Sequence, residues 1–235
     1  MGLFDKIFGR KKGKPGPFPD LSSDDKTSIP QADLTTSQGD ELSEEESILL
    51  AGLGISEETG LQLKRQTKQK IEGLFQQFWA DSGKEPVLRG IKSVYRGKDK
   101  PYGRLNERKL SANIHFFGCG GYASDKNRYI GVVKATDRYD LLRVMGTDGV
   151  NYEVDTEDII NFLKKWEGAV PFLITECEAD SVVIQVDGGN ASLSAMVAEA
   201  VVLCPDLIAD EVTPETLDKV LTFVKRSGEI GFWWD

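Results

Sequence analysis

The sequence predicts an α+β fold, in which helices pack on a mixed, mostly antiparallel sheet that is preceded by a disordered tail. Two observations carry this prediction. After Pro86, short runs rich in β-branched and aromatic residues are interspersed with amphipathic helical patterns in mixed order. Before residue 43, long stretches contain few large apolar residues. Such stretches bury too little surface to offset the entropy lost on ordering.

We divide the 235 residues into four parts. A short amphipathic, basic segment (1–14) and a disordered linker (15–42) are followed by a helical segment (43–84) and an α+β domain (85–235). We expect the first strands of that domain to share a sheet with the C-terminal ones, because two separate small cores would each be marginal.

Composition limits the classes of partner. The net charge of −9 argues against nucleic acid, because phosphate binding needs a basic face. The three cysteines are odd in number and far apart, unlike the dense, even set of a secreted disulfide scaffold. No apolar run approaches the ~18 residues that suggest a membrane-spanning helix. We therefore expect a cytoplasmic protein without a nucleic-acid partner.

The N-terminal segment suggests an alternative. It has four apolar residues at helical spacing, followed by a basic flank, a pattern typical of helices that lie in a membrane interface. Two turns are too short for a stable helix in water. The alternative prediction is weak peripheral contact of residues 1–14 with the inner membrane, through Leu3, Phe4, Ile7 and Phe8.

Two helices are predicted in the helical segment. Ser43 and Glu46 form a capping-box pattern ahead of the first helix, which ends near Gly54. Ser56 is the expected N-cap of a longer second helix. Its apolar stripe, at i, i+3, i+4 and i+7, consists of Ile71, Leu74, Phe75 and Phe78.

The remainder of the chain predicts short strands and helices joined by turns. The predicted strands cover 87–94, 110–117, 129–135, a hairpin of 172–177 with 182–186, and 230–234. The predicted helices cover 138–145 with Asp137 as cap, a segment after Asp155 or Thr156, 192–203, and a segment with Thr213 as N-cap and Pro214 at its first position. Residues 98–108 are predicted to form a polar loop.

Gly118-Cys119-Gly120-Gly121-Tyr122-Ala123 fits the Gly-x-Gly-x-x-Ala form of a dinucleotide fingerprint. That mechanism needs a helix N-terminus directly after the glycines to hold the pyrophosphate. Here residues 124–128 are predicted to be a loop that leads into a strand, which favours a tight turn. We expect no cofactor. We also expect no metal, because the His and Cys residues are too scattered for a structural zinc site.

A catalytic alternative rests on the only histidine, His115, together with Cys204 and Asp206. A thiol activated by a histidine can act as a nucleophile, and a carboxylate can orient the base. The competing interpretation is that the three cysteines are small buried thiols, which are common in protein cores.

Two adjacent tryptophans, Trp233 and Trp234, lie in the last predicted strand. Alternation along a strand would place one in the core and the other outward. Outward aromatic residues often anchor protein interfaces, and Trp166 would add to such a patch. The alternative interpretation is that both tryptophans are covered within the domain.

Three motifs resemble a known family. They are Gly149-Val150-Asn151-Tyr152 running into Asp155-Thr156-Glu157-Asp158, then Cys204-Pro205-Asp206, and finally Phe232-Trp233-Trp234-Asp235. With them, residues 129–235 resemble the bacterial domain of unknown function 4253 family. The resemblance implies a bacterial cytoplasmic domain with a mixed α+β fold and implies no particular activity. One departure is Leu203, where the family pattern leads us to expect an aromatic residue.

The preferred functional prediction is a non-catalytic protein-interaction module, of the inhibitor or immunity type, that binds another protein. This prediction rests on the acidic net charge and on the predicted exposed aromatic patch. The alternatives are a small enzyme with the Cys/His/Asp site, or a membrane-peripheral adaptor tethered by its N-terminal helix. The candidate binding residues are Trp233, Trp234, Trp166, Asn151 and Tyr152.

Overall fold

The computed structural model describes residues 41–76, 85–109, 111–120, 127–208 and 211–234. Within these ranges the chain forms seven α-helices and a seven-stranded mixed sheet, which confirms the predicted α+β class. The predictions for the segment 1–14 and for residues 15–40 of the linker lie outside the described residues. Among those described, no helix combines the length and apolar composition that crossing a bilayer requires.

The elements are numbered here in chain order. The helices are α1 (Glu44–Leu53), α2 (Glu57–Thr67), α3 (Tyr102–Glu107), α4 (Asp140–Met145), α5 (Thr156–Glu167), α6 (Leu193–Leu203) and α7 (Pro214–Ser227). The strands are β1 (Ile71–Phe75), β2 (Leu88–Val94), β3 (Ile114–Cys119), β4 (Tyr129–Lys134), β5 (Phe172–Cys177), β6 (Ser181–Val186) and β7 (Glu229–Trp233). Two single 3-10 turns cover Val150–Tyr152 and Pro205–Leu207.

The strand order is β1-β2-β4-β3-β5-β6-β7. Every neighbouring pair is antiparallel except β3 and β5, which run parallel and meet where Gly118 lies opposite Glu176. The predicted hairpin between β5 and β6 is confirmed. The sheet is thus two antiparallel halves joined by one parallel contact.

The two faces of the sheet carry separate cores. One core lies between β1–β4 and helices α1–α3, and the other packs α4–α7 mainly against β5–β7. Strand alternation assigns neighbouring residues to different cores. Phe116 belongs to the first core and Phe117 to the second, and both are fully buried.

Local capping chemistry sets the helix boundaries largely as predicted. Ser43, Asp155 and Thr213 each accept a hydrogen bond from the N3 backbone N–H and form complete capping boxes. Gly54 and Gly228 end α1 and α7 in the left-handed conformation, which glycine adopts without steric cost.

The predicted long helix through Ile71, Leu74 and Phe75 is wrong. Helix α2 ends at Thr67, and Ile71–Phe75 is strand β1, paired with β2. Ile71 and Leu74 belong to the two different cores. Ile71 and Leu74 are three residues apart, a spacing that fits one face of a helix. On a strand, residues three apart point to opposite faces of the sheet, so the same spacing supplies one residue to each core. Phe78 lies outside the described residues.

Two further predictions need correction. The predicted loop 98–108 contains helix α3, whose Tyr102 and Leu105 are buried over β3. Asp137 is not the N-cap of α4, which begins at Asp140 after Tyr139. Instead the Asp137 carboxylate accepts a hydrogen bond from the Tyr139 N–H, at 2.9 Å.

Glu46 joins the first three elements. Its carboxylate accepts hydrogen bonds from the backbone N–H groups of Ser43 at 2.8 Å and of Ile71 at 2.9 Å, and it pairs with the Lys64 ammonium at 2.5 Å. The side chain is only 2% exposed. Burial opposes its ionisation, but the Ile71 N–H and Lys64 together hold the pKa of Glu46 below its ordinary value.

We expect Glu46→Ala to lower the free energy of unfolding by about 3 kcal/mol, because Lys64 and the Ile71 N–H lose their buried partner. The measurement is urea unfolding at neutral pH. Glu45→Ala is the matched control, since Glu45 pairs with Lys70 at the surface, where a pair contributes less than about 1 kcal/mol.

The same contribution has a defined pH dependence. Because the folded pKa of Glu46 is lowered, its stabilisation is present above the ordinary value of 4.5 and is lost as the pH falls through the folded value. The stability difference between the wild type and Glu46→Ala should therefore shrink in acid. A difference that grows in acid would contradict this assignment.

Candidate functional site

Three separated sequence motifs meet at one end of the sheet. The Tyr152 hydroxyl donates to Asp206 Oδ1 at 2.6 Å, which joins the turn after Gly149 to the turn after Cys204. The third motif contributes the end of β7 and the residue after it. We call this group the motif cluster, which consists of Gly149, Tyr152, Cys204, Asp206, Trp233 and Trp234.

Trp234 is the centre of the motif cluster and is 3% exposed. Its indole Nε1–H donates to the Leu203 carbonyl at 3.0 Å, and its ring stacks on Phe232 with centroids 6.0 Å apart. The ring also packs on Gly149, where an added Cβ would lie 2.5 Å from the indole Cδ1. Trp234 therefore belongs to the core and does not contribute to a surface patch. Trp233, on the alternate face, is partly exposed.

Cys204 acts as a hydrogen-bonding group for strand β7. Its thiol donates to the Trp233 carbonyl at 3.1 Å and accepts from the Trp233 N–H at 3.3 Å. An edge strand otherwise presents such backbone groups to other chains. The side chain is fully buried, and burial raises the pKa of Cys204 to about 12. At neutral pH the thiol is therefore protonated.

His115 lies far from that thiol along the sheet. Its ring Nε2 is 3.1 Å from the Ala135 carbonyl, and burial lowers the pKa of His115. Two strands, β5 and β6, separate its strand from β7, a distance of about 14 Å at the usual strand spacing. The structure thus brings Cys204 and Asp206 into one cluster and leaves His115 outside it.

The other two candidate binding residues have different settings. Trp166 is partly buried on α5, and its indole N–H donates to Glu199 on α6 at 3.1 Å. The Lys165 ammonium binds the same carboxylate at 2.6 Å. Asn151 is exposed on the turn of the motif cluster.

Sequence reasoning missed two exposed apolar residues beside the motif cluster. Val150 is 58% exposed and Val202 is 81% exposed. Val150 follows Gly149, and Val202 precedes Leu203, so each adjoins a residue that contacts the Trp234 indole. The apolar run 198–204 is the sequence feature that contains Val202. Because almost every residue of this run is apolar, it does not indicate which of them faces solvent. We call Val150, Asn151 and Val202 the valine surface.

A cleft of about 210 Å³ forms a second feature, at the carboxyl ends of β3 and β5. The Lys100 ammonium lies 3.2 Å from Glu176 and 2.9 Å from Glu229. Burial opposes its charge, but the two carboxylates raise the pKa of Lys100. The residues that line the cleft are Lys98, Lys100, Tyr102, Gly118, Cys119, Gly120, Arg128, Glu176 and Glu178.

The predicted glycine turn forms one wall of this cleft. Gly120 has φ +78°, and its N–H donates to the Glu178 carboxylate. This left-handed conformation agrees with the tight turn that the sequence favours. Residues 121–123 of the fingerprint pattern and residues 124–126 of the predicted loop lie outside the described residues.

The comparisons with known proteins bear on the C-terminal half of the chain. Residues 129–235 match the family model of a domain of unknown function, DUF4253. The match confirms the resemblance and contains all three motifs. Neither the curated proteins nor the solved structures gave a match.

The DUF4253 match begins inside the sheet. Its first residue opens β4, which lies between β2 and β3, both contributed by the chain before residue 129. The motif cluster lies wholly within the DUF4253 region, whereas seven of the nine residues that line the cleft precede that region, and only Glu176 and Glu178 lie within it. The cleft is therefore shared between the matched region and the rest of the sheet.

We expect Gly149→Ala to destabilise the protein by about 1–3 kcal/mol, because the added methyl group overlaps the Trp234 ring in a packed core. Gly168→Ala is the matched control, since nothing lies within 4 Å of a Cβ at that position. The measurement is the denaturation midpoint of each variant. Equal midpoints for the two variants would show that Trp234 does not need the glycine.

We expect all three thiols of the folded protein to resist iodoacetamide near neutral pH, because burial raises the pKa of Cys119, Cys177 and Cys204 and leaves almost no thiolate. Mass spectrometry with and without denaturant measures the modification. Rapid alkylation of one cysteine in the folded protein would contradict the structural role.

The raised thiol pKa values also set a stability trend. Above the ordinary thiol pKa of ~8.5 the unfolded chain loses protons that the folded chain keeps, so the free energy of unfolding should fall as the pH rises further. Replacing Cys204 by Ala should reduce the slope of the free energy of unfolding against pH above that value.

Proposed function

We propose that this chain is a non-catalytic protein-interaction module, of the inhibitor or immunity type, which binds a basic protein through the valine surface. The observation that carries the proposal is the exposure of Val150 and Val202 beside the motif cluster. Single exposed apolar residues are common on soluble proteins. Here each of the two adjoins a residue that contacts the buried Trp234 indole.

The scaffold beneath the valine surface supports this proposal. The Trp234 indole packs on Gly149 and donates to the Leu203 carbonyl, and Tyr152 is bonded to Asp206. These contacts hold both valines on backbone that need not rearrange on binding. A preorganised surface loses less entropy on association, which favours affinity.

Charge indicates the chemistry of the partner. The net charge is −9, and the first 38 residues are close to neutral, so the acidic excess lies in the remainder of the chain. Glu153 is exposed within three residues of Val150. An apolar centre with an acidic rim is complementary to an apolar patch with a basic rim, and such complementarity raises association rates.

The hydrogen bonding of the motif cluster favours binding over catalysis. The Cys204 thiol bonds to the backbone of Trp233, and the Tyr152 hydroxyl bonds to Asp206. These groups therefore already act as structural contacts. The surface beside them consists of side chains that can contact a partner but carry no nucleophile.

The test is affinity capture of the full chain from its host, followed by binding measurements with the purified partner. We expect Val150→Asp with Val202→Asp to weaken the affinity by about 100-fold, as for central interface residues. Ile48→Asp is the control, since Ile48 is 66% exposed on α1 and this substitution adds the same charge as each of the two valine substitutions.

Two outcomes would overturn the proposal. One is an unchanged affinity in the double variant, with its melting temperature unchanged. The other is self-association of the chain, measured by sedimentation, that is lost in the double variant. The valine surface would then bind a second copy of this chain. Weaker binding at higher salt is the further expected result for a basic partner.

A further inference from the structure

The cleft between β3 and β5 lies at a point where the chain diverges. From the carboxyl end of β3 the chain continues to β4 on one side, and from the end of β5 it continues to β6 on the other. Two parallel strands whose connections leave in opposite directions leave a crevice between them. Ligands of open α/β sheets bind in such crevices for this geometric reason.

The base of the cleft is built from buried polar groups. Tyr102 is 1% exposed, and its hydroxyl lies 3.3 Å from Arg128 Nη2. Glu176 is 8% exposed and pairs with Lys100. Gly118 permits this arrangement, because a Cβ there would overlap the Tyr102 hydroxyl and lie 3.0 Å from Glu176 Cγ.

The lining of the cleft carries three cationic side chains, those of Lys98, Lys100 and Arg128, and two carboxylates. The carboxylates at its wall have protein partners, since Glu176 binds Lys100 and Glu178 accepts from the Gly120 N–H. Lys98 is exposed and lines the same cleft. The Arg128 guanidinium, with five N–H donors, bonds to the Tyr102 hydroxyl through Nη2 and to the Gly97 carbonyl through Nη1, at 3.4 Å, and these contacts hold it at the cleft.

We propose that this cleft is a binding site for a small molecule that presents a phosphate or carboxylate group to Arg128 and Lys98. Guanidinium and ammonium groups make charge-assisted hydrogen bonds to both kinds of oxyanion. The volume of about 210 Å³ is below the ~300–1,000 Å³ usual for drug-sized ligands. The ligand is therefore small.

The Tyr102 hydroxyl can take part in this site. Burial raises the pKa of Tyr102 to about 12, with the nearby Glu176 carboxylate acting in the same direction. The hydroxyl therefore keeps its proton at neutral pH. It can accept from Arg128 and donate to a ligand oxygen at the same time.

This site is independent of the proposed protein interaction. It uses none of the residues of the valine surface, and five of its side chains precede the DUF4253 region, namely those of Lys98, Lys100, Tyr102, Cys119 and Arg128. A chain whose valine surface proved inactive could still bind an oxyanion in the cleft. The two proposals can therefore fail separately.

The experiment titrates the ¹⁵N-labelled full chain with inorganic phosphate and, separately, with acetate, with chloride keeping the ionic strength constant. We expect saturable chemical-shift changes at the Gly118 and Gly120 amides and at the Arg128 side chain. Phosphate as the stronger probe would indicate a phosphorylated ligand, and acetate as the stronger probe would indicate a carboxylate.

Lys98→Glu should lower the affinity for the more tightly bound of the two anions by about tenfold. Lys225→Glu is the control, because Lys225 is exposed on α7 and the substitution changes the charge equally. It should leave the affinity within about twofold, since an exposed charge outside the cleft is screened by salt. Equal affinities in the two variants would overturn the proposal, as would shifts that never saturate or that spread over the surface lysines.

Discussion

The parallel contact between β3 and β5 holds the two antiparallel halves of the sheet together, and the cleft described above is built on it. At the contact, Gly118 lies opposite Glu176. The absence of a side chain at Gly118 lets Tyr102 of α3 fill the space above the strand. This packing closes the core beneath α1–α3 and leaves the adjoining cleft open. One glycine thus permits both a core contact and a cavity.

The motif residues within the DUF4253 match mainly build a scaffold. Trp234 bonds to Leu203 and packs on Gly149, Cys204 covers the backbone of Trp233, and Tyr152 bonds to Asp206. Each motif supplies the hydrogen-bonding or packing partner of another. Val150 and Val202 are next to these contacts in the chain, and their side chains are exposed. Leu203 contributes its carbonyl to Trp234, a role that does not depend on its side chain.

The β5–β6 turn connects the motif cluster with the cleft. The Glu178 carbonyl accepts from the Thr147 hydroxyl at 2.6 Å, and the Glu178 carboxylate faces the cleft. Two residues later, the Asp180 carbonyl accepts from the Trp234 N–H at 3.0 Å. A shift of this turn would therefore move groups on both sides. The contacts give the two sites a common support, while their functions remain separate proposals.

Features that depend on residues close together in the chain follow from the sequence alone. Ser43, Asp155 and Thr213 cap helices because their side chains reach backbone N–H groups three residues away, and the β5–β6 hairpin follows from alternation around a short turn. The other features depend on contacts that exist only in the folded chain. Ile71 and Leu74 fit either a helix or a strand until β2 and the two cores select the strand. The separation of His115 from Cys204, the burial of Trp234 and the cleft between β3 and β5 all arise from contacts between residues distant in the chain. Local spacing carries no information about such contacts, because strand order and packing choose the partners.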